Sequence, residues 1–287
     1  MSTLLYDLRY GIRMLLKNPG FTFAALITLA LGIASSTAIF SVIDGVLLHP
    51  LPYPDSENIM VIDPTQRSTG VAGGAFAPAN YIDYVAQNEV FSEISASRGE
   101  QISLSDSDRP ERVRGTMTTS NMFPLFGVAP ILGRMLLPSD EQPGHSHVVV
   151  LSSELWARRY GSDRNIIGRE ISLNDEPHTV VGVMPPNYQP DNYGELWVPS
   201  AFGVPTNVLR PTVDPRPIRG SNYLDVFARL KPGVTLEKAR AQMEAISRRL
   251  EQQYQNDNQD VGIRVMPLHE DVVGGIRPVL LLLFAAV

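Results

Sequence analysis

The chain has 287 residues, no cysteine and a formal net charge of −6. This length allows one large or two modest domains, the missing cysteines exclude disulfide bonds, and the acidic balance argues against nucleic acid as a partner. Hydrophobic residues make up 44% of the chain and charged residues 19%, as in ordinary globular proteins, so the information lies in how the two classes are distributed.

Residues 1–17 predict an amphipathic helix in the cytoplasmic interface of a membrane. Leucine and isoleucine occupy one face, while Arg9, Arg13 and Lys17 recur every four residues on another. The Asn-Pro-Gly segment that follows interrupts this helix, and Pro19 suits the first turn of the next one. We therefore expect two helices to meet at this elbow.

Residues 18–43 carry no ionisable side chain and predict a transmembrane helix. About 20 apolar residues are enough for a helix to cross a hydrocarbon core of roughly 30 Å. A buried core helix and a cleaved signal peptide are the alternatives. The apolar run is longer than a typical signal-peptide core of about 7–15 residues, and Ile39-Phe40 continues it past the small residues Ser36-Thr37-Ala38, so we interpret it as a retained anchor.

Small residues on this predicted span form two candidate helix-packing faces. Gly32 and Ser36 are four residues apart, as are Ala34 and Ala38, which places each pair on one side of a helix. Such a face lets a second helix approach closely. Small residues are also simply common in membrane helices, and the sequence leaves both interpretations open.

The charges that flank the span predict its orientation. Three basic residues and one acidic residue precede it, whereas residues 44–66 contain four acidic residues and no Lys or Arg. Because cytoplasmic flanks carry an excess of Lys and Arg, we expect the N-terminus in the cytoplasm. Residues 44–277 then lie outside it, with 21 basic and 29 acidic residues and hence a net charge of −8.

The region beyond the span alternates short strands and helices, a pattern typical of an α+β domain. Residues 50–54, Pro-Leu-Pro-Tyr-Pro, forbid a helix and predict a stiff exit from the membrane. Strands are predicted at 58–62, 111–117, 148–151, 170–173, 178–184 and 195–198, and helices at 78–88, 120–126 and 153–160. A hairpin turn is predicted at residues 174–177.

The last part of this region predicts a β-α-β unit over residues 223–266. Alternating apolar residues indicate a strand at 224–230, and Thr235 is placed to cap a helix whose apolar stripe runs from Leu236 to Tyr254. A second strand is predicted at 261–266. The crossover between the two strands is expected to be right-handed.

Residues 278–287 are ten uncharged, mostly apolar residues that predict the start of a second transmembrane helix. Because about 20 such residues are needed to cross a bilayer, this run is too short to complete a span. We therefore expect the sequence to be the N-terminal fragment of a longer gene product.

No segment indicates catalysis, a cofactor or a metal site. There is no Gly-x-x-x-x-Gly-Lys-Ser/Thr loop to hold phosphates, so ATP would be bound by a partner subunit. His145 and His147 lack a third ligand at a recognisable spacing, and no Gly-x-Ser-x-Gly segment indicates a nucleophilic serine. Trp156 and Trp197 are expected to pack in the core. We expect the chain not to be an enzyme.

Several segments together form a family signature. They are 7–21 (DLRYGIRMLLKNPGF), 29–33 (LALGI), 37–42 (TAIFSV), 50–54 (PLPYP), 121–128 (NMFPLFGV), 150–153 (VLSS) and 180–185 (VVGVMP). With them the chain resembles MacB-like and FtsX-like permease subunits of ABC transporters, in particular the acidobacterial duplicated orphan permeases. Ser35-Ser36, His49 and Asn174-Asp175 depart from the usual pattern of that group.

The resemblance implies a MacB-like periplasmic core domain with two subdomains. One would be a porter-like α/β subdomain made of halves at about 55–126 and 221–270. The other would be a β-rich subdomain inserted between them at about 127–220. The β-α-β unit at 223–266 would then pair with residues 58–120.

The resemblance also implies a function in the cell inner membrane, as the permease subunit of an ABC-type transport or mechanotransmission system for export or envelope processes. Hydrolysis of ATP by a separate cytoplasmic ABC ATPase would move the membrane helices, and rigid connections would transmit that motion to the periplasmic domain. Partners would be the lipid bilayer, the ATPase, a second permease copy or half, and a periplasmic adaptor or substrate. The alternative is a non-transporting, membrane-tethered structural or sensory module.

Overall fold

The computed structural model of the chain describes residues 2–43, 50–72, 74–105, 110–188 and 194–286. It contains two compact units, one formed by residues 1–49 and 272–287 and the other by residues 50–271, which we call the outer domain. The mixed α and β content and the apolar N-terminal helix confirm the predicted fold class.

The helices are α1 (Ser2–Lys17), α2 (Pro19–Ile43), α3 (Pro78–Gln87), α4 (Met122–Phe126), α5 (Ser153–Tyr160), α6 (Leu236–Gln253), α7 (Gln255–Asn258), α8 (Leu268–Gly274) and α9 (Arg277–Ala286). The strands are β1 (Ile59–Gln66), β2 (Phe91–Leu104), β3 (Glu111–Thr118), β4 (Leu132–Gly133), β5 (Val148–Leu151), β6 (Glu170–Leu173), β7 (Glu176–Val183), β8 (Leu196–Pro199), β9 (Asp225–Leu230) and β10 (Val261–Pro267). Short 3₁₀ turns cover Ser56–Asn58, Pro138–Glu141 and Arg164–Ile166.

The first unit is helical, and α2 contacts both α1 and α9. Within α2, the segment Pro19–Ser41 is long and apolar enough to cross a membrane. The predicted elbow is present at Asn18, whose carbonyl accepts a hydrogen bond from the Thr22 amide at 3.0 Å. The Asn18 side-chain amide donates to the carbonyl of Met14, at the end of α1.

The outer domain is built on one sheet with the strand order β10-β1-β9-β2-β3-β8-β5-β7-β4, and β6 pairs with β2 and β7. Strand β1 lies between β9 and β10 and is antiparallel to both. The predicted pairing of the β-α-β unit with residues 58–120 is therefore confirmed, and α6 connects two strands that are not neighbours. The handedness of this crossover stays a prediction.

Helix α6 shows the predicted capping and the predicted apolar stripe. The Thr235 side chain accepts a hydrogen bond from the Lys238 amide at 3.3 Å, so it caps the helix. The stripe residues Ala239, Met243, Ile246 and Leu250 are buried against β1, β2, β9, β10 and α3. This cluster is the core on one face of the sheet.

Strand β2 has no counterpart among the predicted elements. Phe91, Ile94 and Ala96 belong to the core under α6, whereas Ile102 and Leu104 belong to a second core with β5, β6, β7 and β8. One 14-residue strand thus contributes to both cores. The division into porter-like halves and an insert at about residue 127 stays a prediction.

The hairpin between β6 and β7 corrects one predicted boundary. The turn consists of only Asn174 and Asp175, with φ angles of 50° and 67°, and β7 begins at Glu176 rather than at His178. Two consecutive left-handed residues make the tight turn whose twist matches that of the flanking strands. Pro177 is consequently the second residue of a strand, where it pairs with Ser172.

Glycine at position 182 is required by a close approach of two backbones. A Cβ atom at Gly182 would overlap the carbonyl oxygen of Arg134, next to the paired Gly133 on β4. We expect Gly182→Ala to lower the free energy of unfolding by about 1–3 kcal/mol, because the backbones must separate. Gly220→Ala is the control, since its Cβ would meet only Asp257 Oδ1 at 3.6 Å. Equal denaturant midpoints for the two variants would contradict this expectation.

Candidate functional site

The chain segments that enter and leave the outer domain both pack against one hydrophobic cluster. We call residues 50–54 the entry segment, because they follow the N-terminal membrane unit, and α8 leaves the domain at the other end. We call the following buried residues the anchoring cluster: Ile59, Val61, Met122, Phe123, Leu125, Phe126, Leu136, Val150, Val181, Met184, Tyr188, Trp197, Phe227 and Leu268. Leu51 and Tyr53 of the entry segment pack against it, and Leu268 is the first residue of α8.

Aromatic rings connect the entry segment to the sheet. The ring of Tyr53 lies edge to face with Phe126, with centroids 5.0 Å apart, and Phe126 contacts Phe227 of β9 at 5.6 Å. Edge-to-face pairs at such distances contribute roughly 0.5–1.5 kcal/mol each beyond their buried area. Phe126 therefore links the entry segment with the central part of the sheet.

The side chain of Arg229 on β9 donates hydrogen bonds to backbone carbonyls at the end of the entry segment. Its Nε donates to the carbonyl of Leu125 at 2.6 Å, while Nη2 and Nη1 donate to the carbonyls of Pro54 and Asp55 at 3.0 and 3.3 Å. Successive side chains of a strand alternate between faces, so Arg229 lies on the same face as Phe227. One guanidinium thus joins α4, β9 and the end of the entry segment.

The local backbone makes this arrangement stiff. Three prolines fix φ within the entry segment, and the Tyr53 amide donates to the carbonyl of Leu51 at 2.8 Å. Gly127 ends α4 with φ at 69°, a left-handed conformation that glycine adopts without strain, and it lies beside the Pro54 ring. Together with the ring packing and the hydrogen bonds to its carbonyls, these backbone restraints hold the entry segment in place.

The predicted helix-packing residues of α2 fall on more than one face. Gly32 and Ser36 lie together, and the Ser36 hydroxyl donates to the Gly32 carbonyl at 2.9 Å. Both line a shallow groove along the helix with Phe21, Ala24, Ala25, Thr28, Leu29, Ile33 and Thr37. Ala34 and Ala38 do not line this groove, and all four residues are exposed. Their role in helix packing stays a prediction.

His147 lies beside His178, a contact that no sequence motif predicts. The His147 ring lies 5.1 Å from the ring of His178 on β7, and its Nε2 is 3.4 Å from a carboxylate oxygen of Glu176. No set of three or more potential ligands that could hold a metal ion occurs in the described part of the chain. The pairing follows from the register of β5 on β7, which local sequence does not reveal.

We expect the partial burial of His178 to make the stability of the outer domain depend on pH. Burial lowers the pKa of His178 below its usual 6.5, and the neighbouring His147 acts in the same direction while Glu176 opposes it. The folded state then binds fewer protons than the unfolded state below pH 6.5, so the free energy of unfolding falls as the pH drops through that value. We expect this fall to be smaller in His178→Gln.

Denaturant unfolding at pH 7.5 and 5.5 tests the effect of His178. The difference between the two pH values is compared for the wild-type chain, His178→Gln and the control His145→Gln, which changes an exposed histidine outside the pair. A pH dependence that His178→Gln leaves unaltered would show that this histidine does not contribute to it.

Trp197 packs in the interior, as predicted, whereas Trp156 is only partly buried at the edge of a core. Trp197 is fully buried in the anchoring cluster, where its ring contacts Phe123 and Tyr188. Trp156 packs against the core beside β5, and its indole N–H donates to the carbonyl of Asp163 at 2.9 Å. Trp197 therefore offers a fluorescence probe of the anchoring cluster.

The apolar helix and the separate α+β unit define a membrane protein that carries a folded domain. The family model of the MacB-like periplasmic core domain matches residues 22–246. The chain belongs to this family, and its class is that of an ABC transporter permease or a related system. The finer grouping with acidobacterial orphan permeases stays a prediction.

Solved structures show the same fold at low sequence identity. The periplasmic region of MacB from Actinobacillus actinomycetemcomitans has a TM-score of 0.54 at 14% identity, covering 84% of this chain and 98% of that one. A domain of a putative permease protein from Porphyromonas gingivalis has a TM-score of 0.54 at 14% sequence identity, and the match covers 75% of this chain and 92% of that one. The extracellular domain of the noncanonic ABC-type transporter YknZ from Gram-positive bacteria has a TM-score of 0.51 at 14% sequence identity, and the match covers 73% of this chain and 100% of that one. No curated protein matches the chain.

Local sequence predicts the stiff entry segment but not the residues that hold it. Arg229 had one available signal, because it is the only charged residue between Val226 and Leu230 of a strand otherwise apolar there. Phe126 was predicted only as part of a short helix. Neither signal indicates which distant carbonyls or rings the side chain contacts.

Proposed function

We propose that this chain is the permease subunit of an ABC-type transport or mechanotransmission system in the cell inner membrane. Its N-terminus would lie in the cytoplasm and its outer domain in the periplasm, as the flanking charges suggest. A separate cytoplasmic ABC ATPase binds and hydrolyses ATP, so that this chain itself performs no covalent chemistry and holds no cofactor. A second permease copy or half, and a periplasmic adaptor or substrate, complete the system.

One observation supports this proposal: the entry segment and the first residue of α8 both pack against the anchoring cluster. A displacement of α2 reaches the outer domain through the covalent chain and pulls on residues 50–54. Since Arg229 holds the carbonyls of Pro54 and Asp55, the pull is passed to β9. Strand β9 in turn pairs with β1 and β2, so the displacement is distributed over the sheet.

The small residues of α2 have a place in the same proposal. The face with Gly32 and Ser36, or that with Ala34 and Ala38, packs against a membrane helix of the second permease copy or half. Small residues allow the close approach on which van der Waals packing between membrane helices depends. These contacts would relay motion from the ATPase side to the N-terminal helix.

Hydrogen exchange in the assembled system tests the proposed coupling. The full chain, reconstituted in nanodiscs together with the proposed ABC ATPase partner, is compared with and without ATP. We expect exchange in residues 50–66 and 225–230 to change with ATP, and not when the ATPase carries a substituted nucleotide-binding lysine. An assembled complex whose outer domain does not respond to ATP would favour the tethered structural or sensory module.

A further inference from the structure

A cleft of about 380 Å³ lies on the face of β2 and β3 and shares no residue with the anchoring cluster. Its volume is within the range of roughly 300–1,000 Å³ in which proteins bind small molecules. Most of the exposed lining surface is apolar, and six of the twelve lining residues are apolar: Ile102, Met117, Leu173, Val198, Val208 and Pro211. The other six are Arg98, Glu100, Gln101, Asn174, Glu176 and His178. The cleft can therefore receive an apolar molecule of modest size.

One buried cation, Arg98, lines this cleft. Its residue surface is only 6% exposed, and its Nη2 donates to the carboxylate of Glu100 at 2.9 Å. Its buried Nε has no hydrogen-bond partner among the residues that the structure describes. That Nε is sealed from the cleft, so a ligand would have to accept from the terminal nitrogens. A guanidinium has five N–H donors, and the bond to Glu100 leaves Arg98 with capacity for a further acceptor.

The other charges around the cleft leave Arg98 as the group that can recognise a ligand. Glu100 is already paired with Arg98, and Glu176 lies at the exposed rim beside His147. His178, which also lines the cleft, has a pKa lowered by burial and is neutral at pH 7. An amine would meet the guanidinium with like charge, whereas a carboxylate matches its donors.

We propose that this cleft binds a small apolar carboxylate, with the carboxylate accepting hydrogen bonds from Arg98. The apolar body then lies over Met117, which pairs opposite Arg98 on β3, and over Val198 of β8. Burial of the apolar body favours binding, and Arg98 selects the head group. This inference does not depend on ATP coupling, because it concerns the outer domain alone.

Octanoate is a suitable probe for the full chain in nanodiscs. We expect octanoate to slow hydrogen exchange in β2, in β3 and in residues 207–211. Octanol and octylamine also enter the bilayer but lack the carboxylate, and we expect them to bind at least about tenfold more weakly, the factor that 1.4 kcal/mol represents. Equal protection by octanoate and octanol would overturn the proposal.

Paired substitutions locate the binding to Arg98. Arg98→Met with Glu100→Met removes both members of the ion pair and leaves no buried charge unpaired. We expect octanoate affinity to fall at least tenfold in this double variant. Asp214→Met with Arg216→Met is the matched control, because it removes an exposed ion pair with the same spacing along the chain. Unchanged affinity in the Arg98 double variant would overturn the proposal.

A second variant decides the question if the Arg98 double variant does not fold. Val208 lines the cleft but is 58% exposed, so Val208→Glu adds a negative charge at the cleft without disturbing the core. The added charge repels a carboxylate, and we expect octanoate affinity to fall severalfold while octanol binding is unaffected. The same affinity for octanoate in Val208→Glu as in the wild-type chain would contradict the proposal.

Discussion

Replacing Phe126 with alanine is expected to lower the free energy of unfolding of the outer domain by about 3–5 kcal/mol. The Phe126 ring is fully buried and packs against Tyr53, Tyr188 and Phe227, which come from three different parts of the chain. Alanine would leave a cavity that these rings cannot fill, because Tyr53 is followed by a proline and Phe227 lies in a central strand.

Equilibrium unfolding in urea, followed by the fluorescence of the nearby Trp197, measures the effect of Phe126→Ala. Val213→Ala is the control, since Val213 is 45% exposed and its truncation should change stability by no more than about 0.5 kcal/mol. Hydrogen exchange should also show that the entry segment loses protection in the folded state of Phe126→Ala. A midpoint close to that of the control would mean that Phe126 does not hold the cluster together.

Replacing Arg229 with methionine is expected to destabilise the outer domain by about 2 kcal/mol and to free the entry segment. Hydrogen bonds from a charged donor contribute about 1.5–3 kcal/mol, but Pro54 and Asp55 are exposed, so water can replace the arginine at two of the three carbonyls. Methionine keeps the apolar stem beside Phe227. The variant therefore removes the hydrogen bonds rather than the packing.

The more informative measurement on Arg229→Met is the coupling between ATP hydrolysis and hydrogen exchange in the outer domain. In the reconstituted system we expect ATP hydrolysis to continue while the ATP-dependent change in exchange at β9 disappears. Arg264→Met is the matched control, because Arg264 lies on β10 and pairs with Asp63 of β1 at a partly exposed site, where an ion pair contributes about 1 kcal/mol or less. A coupling signal that is the same in both variants would exclude Arg229 as the connection.

The two predictions separate stability from transmission. Phe126 contributes by filling space in the anchoring cluster, so its loss weakens the whole domain. Arg229 contributes three directional contacts between a central strand and the entry segment, so its loss mainly releases that segment. A combined variant should show more than additive release of residues 50–54, since both side chains act on the same segment.

Local sequence alone determined the membrane helix, the fold class and most strand and helix positions. A charge-free run of 26 residues predicts α2 at Pro19–Ile43, because a bilayer core excludes ionisable groups over that length. The i, i+3 and i+4 apolar stripe with Thr235 as its cap likewise predicts α6. These features depend on neighbours within one or two helical turns, so they are visible without the fold.

The existence of strand β2 depends on tertiary contacts and could not be predicted from local sequence. This strand buries polar residues such as Ser95 and Ser97, which break the alternation of apolar and polar side chains. Ser95 is satisfied by a hydrogen bond of 2.8 Å to Thr119, 24 residues away. A buried hydroxyl with such a partner costs little, but nothing near it in sequence reveals the partner.

The tertiary structure also decided the fastening of the entry segment and the pairing of His147 with His178. Arg229 reaches carbonyls that lie 104, 174 and 175 residues away in sequence. The two histidines meet because β5 and β7 pair in parallel. Both depend on the strand order, which brings distant segments together through burial of the two sheet faces, and local patterns carry no record of that order.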